Sequence, residues 1–390
     1  MKALVFSDLH LKYGSPYDRE PGDRLEDQVL VGQRIVEIAR EYGCGLMVNG
    51  GDSLDGSVVQ TEAFMAWHRI FGDCEIPIVT ITGNNTHDAG RRKVKAPEIA
   101  GLSGDMTVAS RAEVVFRAGV AVACLPWCSA GHLIAANGEK PRGEINQWMA
   151  GLLVEVARKL KAECVECYLG LPHVLLGHWG LEGAATESGI EIERLTEPWL
   201  PIADLEALGF DLVAFGHIHP PKLLSALTAP PVISIGAPMQ FKFGERGERG
   251  VWIFDTETGA AEFVPIASRR FIEVAYPDAA VLIDDLQEGE IADLDVANAI
   301  VKIRYTATAE QAKRIDQRKL RDALYAAGAR KVYAIEADVQ RETRARDRSL
   351  DTSLTELEAL DRWAEADGTP PAMQARMRET LAGWIEEEVA

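Results

Sequence analysis

Short apolar runs and helical stripes alternate through the first two thirds of the chain. Lys2 to Phe6 is apolar, with β-branched and aromatic content, and is bounded by Ser7, so it predicts a buried strand. Runs over 45–48, 76–81, 174–176, 212–215 and 232–235 predict further strands. Leu25, Val29, Leu30, Ile35 and Ile38 recur at helical spacing and predict a helix over 24–41; a second is predicted over 145–162. Strands alternating with helices imply βαβ units and a largely parallel sheet. Two hairpins interrupt the alternation, over 114–125 with a turn at Ala118-Gly119, and over 250–266 with a turn at 257–259.

The pattern then changes. Strands are predicted over 271–276, 300–305 and 331–335, with a helix over 309–327 between the last two. Thr308 and Gln311 read as its capping box, and Gly328 follows its end. This predicts a small separate α+β unit over 268–338 after a first domain of 1–267. A charged connector, 339–349, leads to two amphipathic helices in 350–390. Leu354, Leu357, Leu360 and Trp363 line one; Met373, Met377, Leu381 and Trp384 line the other.

Composition narrows the class. The chain has 390 residues, 47% hydrophobic and 26% charged, ordinary for a globular protein of two or three domains. No apolar run reaches the ~20 residues needed to span a bilayer. The first apolar run is short and is followed by Asp8, so no signal peptide is read and a cytoplasmic location, away from membranes, is expected. Cys124 with Cys128 and Cys164 with Cys167 could share a zinc only if folded together; reduced, partly buried thiols are the plainer reading. The net charge of −19 argues against a broad basic surface for nucleic acid, though not against a site where metal ions supply the positive charge.

Candidate chemistry sits at strand ends. Asp8 and His10 follow the first strand; as positions i and i+2 of an extended segment they are expected to project together. Asp52, Asn84, His178 and the pair His217 and His219 follow later runs, most beside a glycine. Of the eight histidines, four lie at these points, which chance placement does not explain. Two metals about 3.5–4 Å apart need a bridging carboxylate, and Asp52 is the natural bridge. Asp8, His10 and His219 complete one site; Asn84, His178 and His217 complete the other. Mixed nitrogen and oxygen donors suit two Mn ions, or Fe or Zn, better than Mg or Ca.

These residues resemble the calcineurin-like metallophosphoesterases: D-L-H at 8–10, G-D at 51–52, G-N at 83–84, G-H at 177–178 and G-H-I-H at 216–219. Within that superfamily the chain resembles the SbcD-type DNA repair exonucleases, through G-D-S-L-D at 51–55, G-H-I-H-P-P-K at 216–222 and the stretch 234–251. The resemblance implies an α/β fold, a two-sheet metallophosphoesterase sandwich flanked by helices. It implies a metal-dependent nuclease acting on DNA in double-strand-break repair, 3′–5′ exonuclease on duplex and endonuclease on single strands. It also implies a homodimer whose small domain caps the site and whose C-terminal helices dock on an SbcC-type coiled-coil ATPase. Two alternatives remain: a small-molecule phosphodiesterase or nucleotidase on the same core, and a nuclease-impaired DNA-tethering subunit.

One departure matters. The family's third motif is G-N-H-D, whose His is thought to assist the leaving group. Here Asn85 follows Asn84, and His87-Asp88 comes two residues late. His87 acts from an altered loop, or Asn85 is an inactivating change, or the enzyme is weak; the residues alone leave these open. Arg91, Arg92, Lys93 and Lys95 follow directly, readable as a solvated loop or as contacts to a phosphate backbone. Trp67 and His68 read as packing, and His132 and His173 carry no partner pattern.

Overall fold

The computed structural model describes residues 1–56, 58–84, 87–88, 95–102, 104–129, 145–184, 197–226, 230–340 and 354–389, with side chains up to 385 in the last segment. Two six-stranded sheets stack face to face. The first contains β1 (Lys2–Phe6), β2 (Cys44–Asn49), β3 (Ile78–Ile81) and β4 (Met106–Ala109), all parallel. The second contains β5 (Glu113–Arg117), β6 (Val120–Leu125), β7 (His173–His178), β10 (Leu212–Gly216), β11 (Lys222–Leu223) and β12 (Val232–Ser234). Its inner strands β6, β7, β10 and β12 are parallel, and β5 and β11 are antiparallel edges. A two-residue pair, β8 (Gly180–Leu181) and β9 (Trp199–Leu200), lies apart from both. The closing hairpin, β13 (Gly250–Asp255) and β14 (Ala261–Pro265), joins the first sheet beside β1.

The inner strands are apolar on both faces because both are covered. Val5, Val48, Val79 and Ile81 meet Val122, Val174, Leu176 and Ala214 between the sheets. Outside, helices Asp23–Glu41 and Thr61–Phe71 cover the first sheet, with Trp67 fully buried. Helix Ile145–Cys167, five residues longer than expected from 162, covers the second. Trp67 is packing, as expected, and His68 faces solvent.

The third sheet is small and wholly parallel: β15 (Phe271–Tyr276), β16 (Ile300–Ala307) and β17 (Lys331–Val339), in that order. Two helical crossovers connect it. The first, Ala279–Glu288, is capped by Asp278 and was not expected from the sequence. The second corrects the single helix over 309–327. It breaks into Ala309–Arg314 and Gln317–Ala326, because Ile315 turns extended and Asp316 Oδ1 takes the N–H groups of Arg318 and Lys319. Ile315 is buried, so it continued the apolar stripe and hid the break.

The small sheet rests on the loop after β1. Tyr17 packs on Phe271 and Tyr333, with ring centroids 4.9 and 4.8 Å away. Arg269 grips Asp27 with two hydrogen bonds of 2.8 and 2.7 Å, and Arg24 Nη1 donates to the same carboxylate at 2.8 Å. The last two helices, Glu356–Ala366 and Pro371–Val389, pack on each other. Their facing residues leave a groove of about 710 Å³, with Met373 and Trp384 more than half exposed. Among the described residues no helix is long and apolar enough to cross a membrane.

Candidate metal centre

Parallel strands aim their carboxyl ends the same way, and ligand sites form there. The ends of β1, β2 and β3 from one sheet meet those of β7 and β10 from the other. The local backbone corrects one expectation. Asp8 and His10 do converge, 3.7 Å apart, but not as positions of an extended strand, because β1 stops at Phe6. Asp8, His10, Asp52 and His217 all take left-handed conformations, with φ of 56, 46, 48 and 86°. The turns are held by a zip between two loops: Asp8 N–H donates to Gly51 O at 3.0 Å, His10 N–H to Asp52 O at 2.9 Å, and Leu11 N–H to Ser53 O at 3.0 Å. Asn49 Nδ2 fixes the second loop through Ser53 Oγ at 2.8 Å. The glycines have a steric reason: a Cβ on Gly83 would overlap Asp52 Oδ1, and one on Gly216 would overlap Ser7 Oγ.

Two donor groups result. Asp8, His10 and His219 bring one ligand atom each within 4.8 Å of one another, and so do Asp52, His178 and His217. Asp52 joins them: its Oδ2 lies 3.2 Å from His178 Nε2 and 3.9 Å from His10 Nε2. Asn84 approaches Asp52 through its backbone N–H at 2.9 Å and its Nδ2 at 3.3 Å. A third group, His10, Asp55 and His87, shares His10 with the first.

Outer contacts set the tautomers. His178 Nδ1 donates to Gly50 O at 2.6 Å, which leaves Nε2 to face the centre. That Nε2 is buried without a well-formed hydrogen bond, Asp52 Oδ2 standing beside it. His217 Nε2 donates to Glu197 Oε2 at 2.8 Å, and His219 Nδ1 to Glu245 Oε1 at 3.2 Å. His219 Nε2 then presents its lone pair to the centre, 3.3 Å from His10 Nε2.

The electrostatics favour a cation. Burial opposes charge on His178, but the Asp52 carboxylate and then Asp8 outweigh it and raise its pKa to about 9. Burial dominates at His10 and lowers it to about 4, so this imidazole is a neutral donor. The Asp52 carboxyl is held well below its usual range: burial opposes ionisation, but His178, His10 and His87 outweigh it. The carboxylates that raise His178 favour positive charge at its inward-facing nitrogen, and a metal bound there displaces the proton. Neutral imidazoles with carboxylates are a donor set for borderline divalent metals.

His87 also reaches the centre. Its Nδ1 donates to Asp55 Oδ1 at 2.7 Å, its Nε2 is 3.8 Å from Asp52 Oδ2, and its ring is 4.4 Å from that of His10. Burial would lower its pKa, but the Asp55 hydrogen bond and the Asp52 charge raise it. Lys12 Nζ holds the other Asp55 oxygen at 2.7 Å. Asp88 is buried and serves the backbone, accepting from Leu54 N at 2.8 Å and Gly83 N at 2.9 Å. A cavity of about 290 Å³ opens beside this edge, lined by His10, Lys12, Tyr17, His87 and Phe241 among others.

Asn85, Arg91, Arg92, Lys93 and His132 lie outside the described residues. Lys95 starts helix Ala96–Ala100, its backbone N–H donating to Glu98 Oε2 at 2.9 Å. The cysteines are free thiols, and among the described residues none joins a grouping that could hold a metal. Burial raises the pKa of Cys128 and of Cys164 to about 11. Sequence reasoning gave no role to Asp55, Glu197 or Glu245. Asp55 and Glu245 fall inside stretches that carry the resemblance, but a carboxylate two or more residues from a ligand has no spacing signature; Glu197 has no local signal at all.

Several known proteins are similar. Exonuclease subunit 1 of Enterobacteria phage T4 is 25% identical over 292 residues, covering 71% of each chain. Among solved structures, TT1561 of Thermus thermophilus aligns at 14% identity and TM-score 0.39, covering 68% of this chain and 99% of that one. A dimetal phosphatase from Danio rerio aligns at 10% identity and TM-score 0.39, covering 65% of this chain and 91% of that one. The profile of the calcineurin-like phosphoesterases matches residues 1–221, the span that carries every candidate ligand, and the chain belongs to that family.

Proposed function

We propose that this phosphoesterase is a DNA nuclease that binds two Mn-class ions and works with a coiled-coil ATPase of the SbcC type in double-strand-break repair. The observation that carries the reading is the pair of donor groups joined through Asp52 at the ends of two sheets. Asp8, His10 and His219 would hold one ion, Asn84, His178 and His217 the other, with Asp52 between. When bound, such a pair supplies Lewis acidity to an attacking water and to the charge of the phosphoryl transition state. The substrate class is supported by the phage relative, itself named an exonuclease subunit.

In this reading His87 protonates the leaving oxygen. Asp55 fixes its proton on Nδ1 in the neutral ring, and the charged ring offers Nε2–H toward the centre. Of the three readings open at Asn85, this geometry favours His87 acting from a lengthened loop, with Asn84-Asn85-Thr86-His87-Asp88 serving as G-N-H-D does elsewhere. The small sheet unit, 268–338, would cap the site from its seat on Tyr17, and residues 350–390 would dock on the ATPase through the Met373 and Trp384 groove. Arg91, Arg92, Lys93 and Lys95 would meet the phosphate backbone, and a homodimer would present two such sites.

A nuclease assay with Mn on linear duplex and circular single-stranded DNA, with and without the ATPase, tests this reading. Metal-dependent cleavage of both substrates is expected. Hydrolysis of cyclic nucleotides without DNA cleavage would overturn the nuclease assignment in favour of a small-molecule phosphodiesterase. DNA bridging with metal bound but no cleavage would overturn it in favour of a tether.

A further inference from the structure

A ligand imidazole binds metal only through its unprotonated nitrogen, so whatever fixes the proton on the other nitrogen sets the site. Glu245 is 4% exposed, at the bottom of the loop between β12 and β13. Its Oε1 lies 3.2 Å from His219 Nδ1, and its Oε2 accepts the Phe241 backbone N–H at 2.6 Å. The loop around it is clamped. Gln240 Nε2 donates to Glu245 O at 2.7 Å, Gln240 Oε1 accepts the Phe271 N–H of β15 at 3.0 Å, and Gln240 O accepts from Arg24 Nη2 at 2.8 Å. The Phe241 ring closes on both His10 and His219, at centroid distances of 5.2 and 5.6 Å.

We propose that Glu245 is a positioning residue for the metal centre: its carboxylate keeps the His219 proton on Nδ1 and turns the Nε2 lone pair toward Asp8 and His10. The inference rests on the metal-centre reading above and adds the residue that makes His219 a competent ligand. A carboxylate is required, not merely a polar group. It accepts from both sides at once, from Nδ1–H and from the Phe241 N–H.

Glu245→Gln tests the requirement with almost no change of shape. The Phe241 N–H is a fixed donor, so the amide oxygen must face it and the amide NH₂ must face His219 Nδ1. Nδ1 can then only accept, and the proton moves to Nε2, the nitrogen that faces His10. Nitrogen-15 NMR of the histidine rings in metal-free protein should show His219 protonated on Nδ1 in the parent and on Nε2 in E245Q. Calorimetric titration with MnCl₂ should show one of two binding events weakened by about 10–100-fold and the other unchanged. Glu245→Asp, still acceptor-only, should keep the Nδ1 tautomer and most of the affinity, a rescue that a packing role would not produce. Glu197→Gln, beside His217, should leave the His219 tautomer alone.

An unchanged tautomer in E245Q, or a swapped one in E245D, would overturn the proposal. Failure of the parent to bind Mn would overturn the metal-centre reading instead, and the tautomer measurement would still decide on Glu245.

Discussion

Replacing His87 by alanine should separate a proton donor from a metal ligand, because the two roles respond differently to the leaving group. His87 Nε2 stands 3.8 Å from Asp52 Oδ2, and its Nδ1 is tied to Asp55 at 2.7 Å, a geometry open to either role. As a general acid it contributes about 10²–10⁴-fold, or roughly 2.7–5.4 kcal/mol of barrier at about 1.36 kcal/mol per tenfold. That full loss is expected on DNA, whose leaving alkoxide must be protonated. On bis-p-nitrophenyl phosphate, whose phenolate leaves unprotonated, the loss should shrink to less than about tenfold. Mn stoichiometry should not change. Asp55→Asn should cost less than His87→Ala, because it weakens the orientation of the ring and leaves the ring in place. Asn85→His should bring no large gain, since the acid is already supplied. Steady-state kinetics on both substrates, with metal analysis of each protein, decides. An equal loss on both substrates, or loss of an ion in His87→Ala, would refute the acid role; a large gain in Asn85→His would return the role to the position after Asn84.

Asp52→Ala should lose both ions, since both donor groups converge on it; metal analysis under saturating Mn that still finds one tightly bound ion would sink the shared-carboxylate reading. Asp27→Ala should destabilise the chain by about 3–5 kcal/mol in urea unfolding, because Arg24 is 4% exposed and would be left buried without its carboxylate. Arg269→Ala should cost less than Asp27→Ala, because it leaves Asp27 paired with Arg24 and no charge buried alone; equal losses would mean the burial of Arg24 is not what matters. Deleting 350–390 should leave phosphodiester turnover intact and abolish co-purification with the ATPase, and a truncated protein that still co-purified would place docking elsewhere.

The strand ends were legible because each required several signals at once: an apolar run, a stop, and a ligand-type residue beside a glycine. The structure brings Asp8, His10, Asp52, Asn84, His178, His217 and His219 together at one place. The residues that tune them were not legible. Asp55, Glu197 and Glu245 reach their histidines across 32, 20 and 26 positions of sequence, and only folding brings them there. In the third sheet, the strands were readable from β-branched runs, and so was the second crossover over 309–327 with its Thr308 and Gln311 cap, but neither its break nor the first crossover helix was. Ala279–Glu288 buries few residues, and Ile315 extended an apolar stripe through a real break. Periodicity records which side chains are buried, and Ile315 is buried whether or not the helix continues.

The choice of residue types at the centre answers a backbone demand as well as a chemical one. Of the non-glycine residues with positive φ, five lie at the site: Asp8, His10, Asp52, Asp88 and His217. Left-handed backbone costs L-residues roughly 1–2 kcal/mol each, and Asp, Asn and His tolerate it better than others. The same short polar side chains are hard-to-borderline metal donors, so one residue type meets both requirements. The strain persists because the loops over-determine it: the Asp8, His10 and Leu11 N–H groups are taken by the Gly51, Asp52 and Ser53 carbonyls, and both Asp8 oxygens accept the His217 N–H from the opposite sheet, at 3.2 and 3.1 Å. Asp8 thus acts twice, orienting the His217 backbone while its carboxylate faces His10 and His219. Through this hydrogen bond Asp8 ties the loop after β1 to the loop after β10, so the spacing of the two donor groups is set by the protein's own contacts.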